Sequence, residues 1–261
     1  MIKFFRKIRQ SLISENKFSK YLIYALGEII LVVFGILIAL SINNWNEQRK
    51  DNEHEQIILK RLQKEFESNK KQLYQKIEIR KKVIKNCVDL LNYYDNPETA
   101  TLDSLIKKQS RLITPATFDP VKNDLVSSGN IEILKNEQLK QLLINWSTDV
   151  IQLQEVEQMF LRYSENQMIP YLDKIGIQRD VAFEFWEDNL INLLETKTYT
   201  NPVPRKSKIN MLTKETLLNN ATLESQISYT LLINEFNNQE SITLMKRIDE
   251  ILKLINLEIK Q

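Results

Sequence analysis

The sequence predicts an all-α protein, in which one N-terminal transmembrane helix continues into an elongated helical bundle. Three observations support this fold class: an apolar stretch near the N-terminus, apolar side chains at steps of three, four and seven afterwards, and few turn-forming residues. The 261 residues include only four glycines and six prolines. So few turn formers argue against a many-stranded sandwich or barrel, and against a Gly-rich phosphate loop.

The transmembrane helix is predicted at residues 21–42, which contain a single carboxylate, Glu28, and no basic residue. At 1.5 Å per residue this segment forms about 33 Å of helix, enough to cross a hydrocarbon core of roughly 30 Å. Tyr21, Tyr24 and Trp45 bracket it with rings that favour the headgroup region. The alternative is a cleaved signal peptide, but the apolar stretch exceeds the roughly 7–15 residues typical of one, which favours an uncleaved anchor.

Basic residues flank this span unequally. Residues 1–20 carry six lysines and arginines against Glu15 alone, whereas residues 43–62 carry four basic residues among as many acids. This bias predicts a cytoplasmic N-terminus and an outer domain over residues 43–261. The basic tail would either lie on the anionic inner leaflet or be simply solvated. The outer domain is nearly neutral and has no basic stripe, so no nucleic-acid partner is expected.

The span is predicted to continue as one long helix to Asp95, because residues 43–95 contain neither glycine nor proline. Asn96-Pro97 would end it, since the residue before proline avoids the α region. Asn69 and Arg80 interrupt the apolar seam and are interpreted as solvated or register-setting positions. The predicted seam residues are Leu59, Leu62, Phe66, Leu73, Ile77, Ile84, Val88 and Leu91.

Further helices complete the predicted bundle. Gly129 would end the helix that begins at Asp119-Pro120. Pro202 and Pro204 indicate that residues 198–208 are a hinge or linker. In chain order, these helices are expected at Leu102–Leu112, from Asp119-Pro120 to Ser127, from an Asn136 cap to Pro170, at Val181–Leu194, and from a Thr222 cap to Lys260.

One face of the span is the candidate site. Glu28, Gly35 and Ala39 share a helical face, and a carboxylate costs about 2–3 kcal/mol at the membrane centre and less near its edge. Gly35 and Ala39 form a small-x-x-x-small pair that allows another helix to approach closely, so Glu28 could find a donor on that partner. The predicted partners are therefore the lipid bilayer and, through the span, a second copy or another membrane protein. Alternatively, Glu28 reaches the interface or bonds to Tyr24, and the small residues face lipid.

The other chemically versatile residues have simpler explanations. His54 lies between acids in a hydrophilic stretch and is expected to be exposed, whereas Cys87 is expected in the core. One histidine and one cysteine exclude a disulfide framework and the usual Cys/His zinc site. No metal site and no cofactor are therefore predicted.

Two pairs of carboxylates, Glu184 with Asp188 and Glu155 with Glu157, are what any charged helix face offers by chance. Neither pair has the partner groups that acid/base chemistry needs, so no catalytic residue is predicted and the protein is not expected to be an enzyme. Packing explains the aromatic cluster of Phe183, Phe185 and Trp186.

Two segments resemble a known family. The openings MIKFFRKIRQ and SENKFSKYLIYALGEIILVVFGILIALSINNWNE resemble those of the domain of unknown function family 6090, a family of Bacteroidota membrane proteins. The later stretch FDPVKNDLVSSGNIEILKNEQLKQLL resembles that family's Leu-x-x-Ser-Gly-Asn segment. The resemblance implies a Gram-negative inner-membrane protein with its bulk in the periplasm. It brings no known activity and no catalytic residues.

The sequence therefore predicts a membrane-anchored, non-enzymatic helical interaction or scaffold protein. One alternative is an extracytoplasmic sensor, although twenty cytoplasmic residues leave no room for an output domain of its own. Another alternative is a single-span subunit of an ion-driven membrane complex, which Glu28 alone supports.

Overall fold

The computed structural model describes residues 18–121, 130–187, 200–209 and 212–259, and every regular element in these ranges is helical. In chain order these are α1 (Phe18–Asp95), α2 (Leu102–Leu112), α3 (Glu137–Tyr163), α4 (Ile169–Lys174), α5 (Gln178–Glu187), α6 (Lys214–Leu218) and α7 (Ala221–Glu258). Short 3₁₀ turns lie at Pro97–Thr99 and Asn130–Ile133, and a π turn lies at Ser164–Met168. The predicted all-α class is confirmed. The chain divides into two compact units, Met1–Ile58 and Leu59–Gln261.

In the first unit, the described residues belong to α1. Residues 26–42 are exposed except for Glu28, which is half-buried. Among the described residues, α1 is a helix long and apolar enough to cross a membrane, as predicted. Trp45 and His54 are exposed. The basic tail up to residue 17 and the side chains of Tyr21 and Tyr24 lie outside what the structure describes.

Helix α1 ends where the sequence predicts. No glycine or proline interrupts the helix after Gly35. It ends at Asp95, because Asn96, which precedes Pro97, leaves the α region with φ −132° and ψ 69°. The prediction of one long helix ending at Asn96-Pro97 is confirmed.

The buried seam of α1 differs from the predicted one in its second half. Its first part, from Leu59 to Ile77, is buried as expected. Beyond Ile77 the buried apolar residues are Val83, Cys87 and Leu90, whereas Val88 is 43% exposed. The interpretation of Asn69 and Arg80 as solvated is wrong, because each is 1% exposed. These two polar residues belong to the seam, with Arg80 seven residues after Leu73, and hydrogen bonds satisfy them there.

The second helix, α2, has the predicted bounds. Its first turn is held by a capping box, in which the Thr101 side chain accepts from the Ser104 N–H and Ser104 accepts from the Thr101 N–H. The helix predicted from Pro120 is wrong at its start, since Pro120 and Val121 are not helical. The N–H groups of Asp119 and Val121 bond instead to side chains of α1. The rest of that prediction, through Ser127 and Gly129, lies outside the described residues.

Asn136 caps α3 as predicted, accepting from the Leu139 N–H at 3.0 Å. The expected end of this helical segment at Pro170 is wrong, because the π turn Ser164–Met168 leads directly into α4. In this wider turn the N–H of Ile169 donates to the carbonyl of Ser164. Pro170 lies in the first turn of α4, where its missing N–H and fixed φ are tolerated.

Gly176 ends the segment after α4 with a φ of +79°, a conformation that favours glycine. The helix predicted at Val181–Leu194 begins earlier, as α5 at Gln178, and its predicted end lies among the undescribed residues 188–199. Residues 200–209 are not helical, in agreement with the predicted linker. The short helix α6 was not predicted.

The final helix, α7, begins two residues earlier than predicted. Its cap is Asn220, whose side chain accepts from the Leu223 N–H at 3.0 Å. Thr222 is therefore not the cap but an exposed residue of the first turn. A polar side chain has to precede the first turn to reach its free N–H groups, and Asn220 has that position.

In the second unit, α7 runs antiparallel to both α1 and α3. Lys70 and Asp249 are 2.6 Å apart, and Gln63 donates to Asn256 at 2.7 Å. The contacts between α3 and α7 follow the same order, from Asn136–Glu258 through Gln152–Glu240 to the ring pair Tyr163–Tyr229. These three helices surround the polar centre described next.

Candidate functional site

Residues Thr114–Val121, here called the strap, form an extended segment that follows α2. Thr114, Ala116, Phe118 and Pro120 are buried, and the residues between them are not. This alternation is the period of two that an extended chain produces. The strap is thus fixed to the bundle along one side.

Phe118 anchors the strap through aromatic contacts. Its ring is 1% exposed and lies 6.4 Å from the ring of Trp146 in an edge-to-face arrangement. Trp146 in turn meets Phe66 of α1 at 5.0 Å. The three rings join the strap, α3 and α1 in one apolar contact.

Side chains from α1 and α3 pair with the strap backbone. Extended chain without a neighbouring strand leaves its N–H and C=O groups in need of partners. Five residues supply them, and we call these residues the clamp. Asn69 bonds both the N–H (2.8 Å) and the carbonyl (3.5 Å) of Val121, Gln72 accepts from Asp119 N–H (3.1 Å), Gln154 donates to the Phe118 carbonyl (3.1 Å), Glu157 accepts from Phe118 N–H (2.9 Å), and Arg80 donates to the Ala116 carbonyl (2.7 Å).

Arg80 is the centre of the clamp. Its guanidinium forms a salt bridge with Glu157 and donates to Ser241 Oγ at 2.6 Å, so it joins α1, α3, α7 and the strap. Burial lowers the pKa of Arg80, although the nearby carboxylate of Glu157 acts in the opposite direction.

Glu157 is the buried carboxyl that faces Arg80. Burial raises the pKa of Glu157 to about 7, while Arg80, the Phe118 N–H and Lys76 oppose the rise. The interpretation of Glu155 with Glu157 as a chance pair on a charged face is wrong for Glu157, which is 3% exposed. Only Glu155 is exposed.

A stripe of buried polar side chains on α7 completes this centre. Thr230 and Asn234 bond back to the carbonyls of Gln226 and Thr230, at 2.8 and 2.9 Å. Among the described residues, the Oδ1 atoms of Asn237 and Asn238 have no hydrogen-bond partner. The space between Arg80, Glu157 and this stripe has no room for even a water-sized molecule. The geometry therefore suits holding the strap.

The predicted association face of the span lies on an exposed part of α1. Glu28 is half-buried, and Gly35 and Ala39 are exposed on the same side of α1. Within the part of the chain that the structure describes, a Cβ added to Gly35 would meet no atom within 4 Å. A role for these residues in helix association stays a prediction.

The remaining predicted residues support packing. Glu184 is buried and forms a salt bridge with Lys206 at 2.6 Å, and Lys206 also bonds Asp103 at 2.9 Å. Asp188 lies outside the described residues. The rings of Phe185 and Trp186 meet edge to face at 5.8 Å, and Phe183 lies under Lys206 Nζ at 6.0 Å. The described ranges contain no group of three or more His, Cys, Asp or Glu residues arranged to hold a metal ion.

Sequence reasoning missed the clamp. Its signal was present on α1, where Asn69 follows Phe66 by three residues and Arg80 follows Leu73 by seven, both steps of an apolar seam. A polar residue at a seam position implies a buried partner. The sequence did not reveal that this partner is the backbone of a distant segment.

Comparison with known proteins relates part of the chain to a family. The sequence model of a family of unknown function, DUF6090, matches residues 28–145. No curated protein and no solved structure matches the chain. The matched segment includes the strap and the clamp residues of α1, whereas Gln154 and Glu157 lie beyond it. Over residues 28–145 the chain thus matches the DUF6090 family of unknown function, as the resemblance in its sequence predicted.

Proposed function

We propose that this chain is a non-enzymatic, membrane-anchored interaction or scaffold protein. Residues 21–42 cross the inner membrane, residues 1–20 face the cytoplasm, and residues 43–261 form a periplasmic domain. The observation that carries this proposal is the run of exposed apolar side chains at residues 29–42, in a helix long enough to cross a bilayer. Such a surface is unfavourable in water and favourable in lipid.

The polar centre supports a structural function for the outer domain. Its charged groups bond to the strap and to one another, and the space around them is too small for a substrate. A reacting group needs a position within hydrogen-bond reach of its catalytic partners. The clamp instead fixes the path of residues 114–121.

A pair of reporter fusions tests the orientation. An export-dependent reporter fused after Gln261 should be active, and the same reporter fused before Met1 should be inactive, because the basic residues favour a cytoplasmic N-terminus. The opposite pattern would overturn the proposed topology.

Mass spectrometry of the membrane fraction tests the anchor. The mature chain should retain Phe4 and Phe5 and should resist extraction by alkaline carbonate. A mature N-terminus near Ile42 would show that the apolar segment is a signal peptide, and the proposal of a membrane anchor would then fail.

A further inference from the structure

One face of α1 changes its chemistry where the proposed membrane span ends. Residues at steps of three and four share a face of an α-helix, so Ile38, Ile42, Trp45 and Arg49 lie along one line. All four are exposed. Along this line, aliphatic side chains are followed by an aromatic ring and then by a cation. This is the order of hydrocarbon, headgroup layer and water at a bilayer surface.

The side chain of Arg49 reaches back toward the span, as long side chains on a helix do. Its Cζ atom lies 5.9 Å from the centre of the Trp45 ring, and its Nη2 donates to Asn46 Oδ1 at 3.5 Å. The guanidinium is thereby held at the level of residues 45 and 46, about 5 Å beyond Ile42. Headgroups occupy this depth, since the interfacial layer extends about 5–7 Å beyond each side of the hydrocarbon core.

The guanidinium of Arg49 keeps donors available for a further partner. It carries N–H groups on three nitrogens, and the side chain is 57% exposed. The Glu53 carboxylate lies 3.9 Å from Nε, which is longer than a hydrogen bond, and it belongs to the turn of α1 that follows Arg49. The Trp45 ring is itself 64% exposed. The pair therefore presents a cation and an apolar ring to the same surroundings.

We propose that Trp45 and Arg49 bind the phosphate group of a bilayer phospholipid, in the leaflet next to residues 43–50. The planar fork of guanidinium N–H groups fits two phosphate oxygens at once, and the two charges are complementary. The ring packs beside the lipid and orients the guanidinium through the cation–π contact. This inference rests on the proposed membrane span and adds the lipid group that fixes its depth.

Solid-state NMR of the full-length chain in phospholipid vesicles tests the proposal. The arginines carry ¹³C at Cζ, and the buffer contains no phosphate, so that all phosphorus belongs to the lipid. The Arg49 signal is identified by its loss in Arg49→Lys. We expect ³¹P to dephase this signal over about 4–5 Å, because charge-assisted N···O bonds are about 2.8 Å long. Absence of dephasing in the wild-type chain would overturn the proposal.

Two variants test whether the ring and the guanidinium act together. Trp45→Leu should reduce the dephasing at Arg49, because the guanidinium loses the ring that orients it. Lys50→Gln is the matched control, because it removes a neighbouring positive charge that lies about 140° from Trp45 around the helix. It should leave the Arg49 signal unchanged. Equal losses in both variants would indicate a general attraction of charge to the surface and would contradict a site formed by this pair.

Glu53→Gln tests the competing partner. If Glu53 holds the guanidinium, dephasing will be absent in the wild type and will appear in this variant, which would contradict the proposal. Insertion is measured in the same vesicles by contacts between the lipid acyl chains and the apolar side chains of residues 29–42. Such contacts without dephasing at Arg49 would reject the phosphate site and leave the membrane anchor standing. Absence of these contacts would reject both.

Discussion

Arg80 and Glu157 show how a buried charge is tolerated in this bundle. Each loses its hydration on folding, and their attraction compensates only because further hydrogen bonds satisfy the remaining atoms. Those bonds come from Ser241 and from the strap at Ala116 and Phe118. Removing one member of the pair therefore costs more than the contact itself contributes.

The first prediction is that Glu157→Ala destabilises the outer domain by about 3–5 kcal/mol at pH 8, because Arg80 is left buried without its counter-charge. Adding Arg80→Met to this variant should restore part of the loss. Urea unfolding of the full chain in micelles, followed by circular dichroism, measures both. Glu155→Ala is the control on the same helix and should change stability by less than about 0.5 kcal/mol. Equal effects at positions 155 and 157 would contradict the argument.

The second prediction concerns pH. Burial raises the pKa of Glu157 from 4.5 to about 7, so the folded chain binds this proton more tightly than the unfolded chain. The resulting stabilisation is complete below about pH 4.5 and is lost as the pH rises through about 7. The unfolding free energy of the wild type, relative to that of Glu157→Gln, should therefore decrease as the pH rises from about 4.5 to about 7. If the wild type instead gains stability relative to Glu157→Gln over this pH range, the pKa of Glu157 is lowered on folding and the prediction is wrong.

At the scale of elements, the strap is held by side chains where a sheet would use a neighbouring strand. Asn69 offers Val121 both a donor and an acceptor, in the manner of a backbone partner. Such a segment can open without disturbing the hydrogen bonds within the helices. Its local stability should therefore depend on individual clamp residues.

The third prediction is that Asn69→Ala accelerates hydrogen exchange at the Val121 amide by about 5–30-fold, because that amide loses its acceptor. Exchange in the middle of α3 should change far less. Asn86→Ala is the control on the same helix, since Asn86 donates to the carbonyl of Lys82 in the preceding turn of that helix. Unchanged exchange at Val121 would show that Asn69 does not hold the strap.

The fourth prediction compares two residues at the start of α7. Asn220→Ala should cost about 1 kcal/mol or more, because Asn220 caps the helix and also accepts from the Tyr171 hydroxyl at 2.8 Å. Thr222→Ala should be almost neutral, since Thr222 is exposed within the first turn. The denaturant midpoints of the two variants, compared with that of the wild type, show which residue caps α7. A larger loss with Thr222→Ala would contradict the assignment.

The sequence predicts those features of the fold that depend on neighbouring residues. Asn96-Pro97 ends α1, and Asn136 caps α3, as local sterics and hydrogen bonding require. The strap could not be predicted in this way, because its partners on α1 and α3 are separated from it by tens of residues. Pro170 was misleading for a related reason, since a π turn accommodates it and no local rule indicates that turn.

The candidate site was less predictable than the fold. Glu157 looks like any acid on a charged helix until Arg80 is known to face it, and that pairing spans 77 residues. The side-chain spacing on α1 does reveal that Arg80 is in the seam. It does not reveal which element satisfies the guanidinium.

At the scale of the whole molecule, the proposed membrane span is where we predict that a partner helix binds. Gly35→Ile adds bulk on the face shared with Glu28 and Ala39, and nothing within the described part of the chain lies close enough to clash with an added Cβ. An effect of this change would therefore report on another helix rather than on folding of this one.

The fifth prediction is that Gly35→Ile weakens association of the full chain in mild detergent, whereas Glu28→Gln preserves it. Size-exclusion chromatography with light scattering measures the assembled mass. Gly27→Ile is the control, because Gly27 lies about 80° from Gly35 around the helix and also has free space. Retained assembly with lost function in Glu28→Gln would instead favour an ion-coupled subunit, since an amide does not titrate.

The π turn Ser164–Met168 makes this part of the chain far less tolerant of a deletion than of substitutions on its outer side. Removing one residue would restore ordinary α-helical bonding but would rotate α4 by about 100°. Leu172, now fully buried, would leave the core, and the ring of Pro170 would meet the carbonyl four residues before it. With the extra residue next to this proline, we expect related sequences to keep the length of the segment even where its side chains differ.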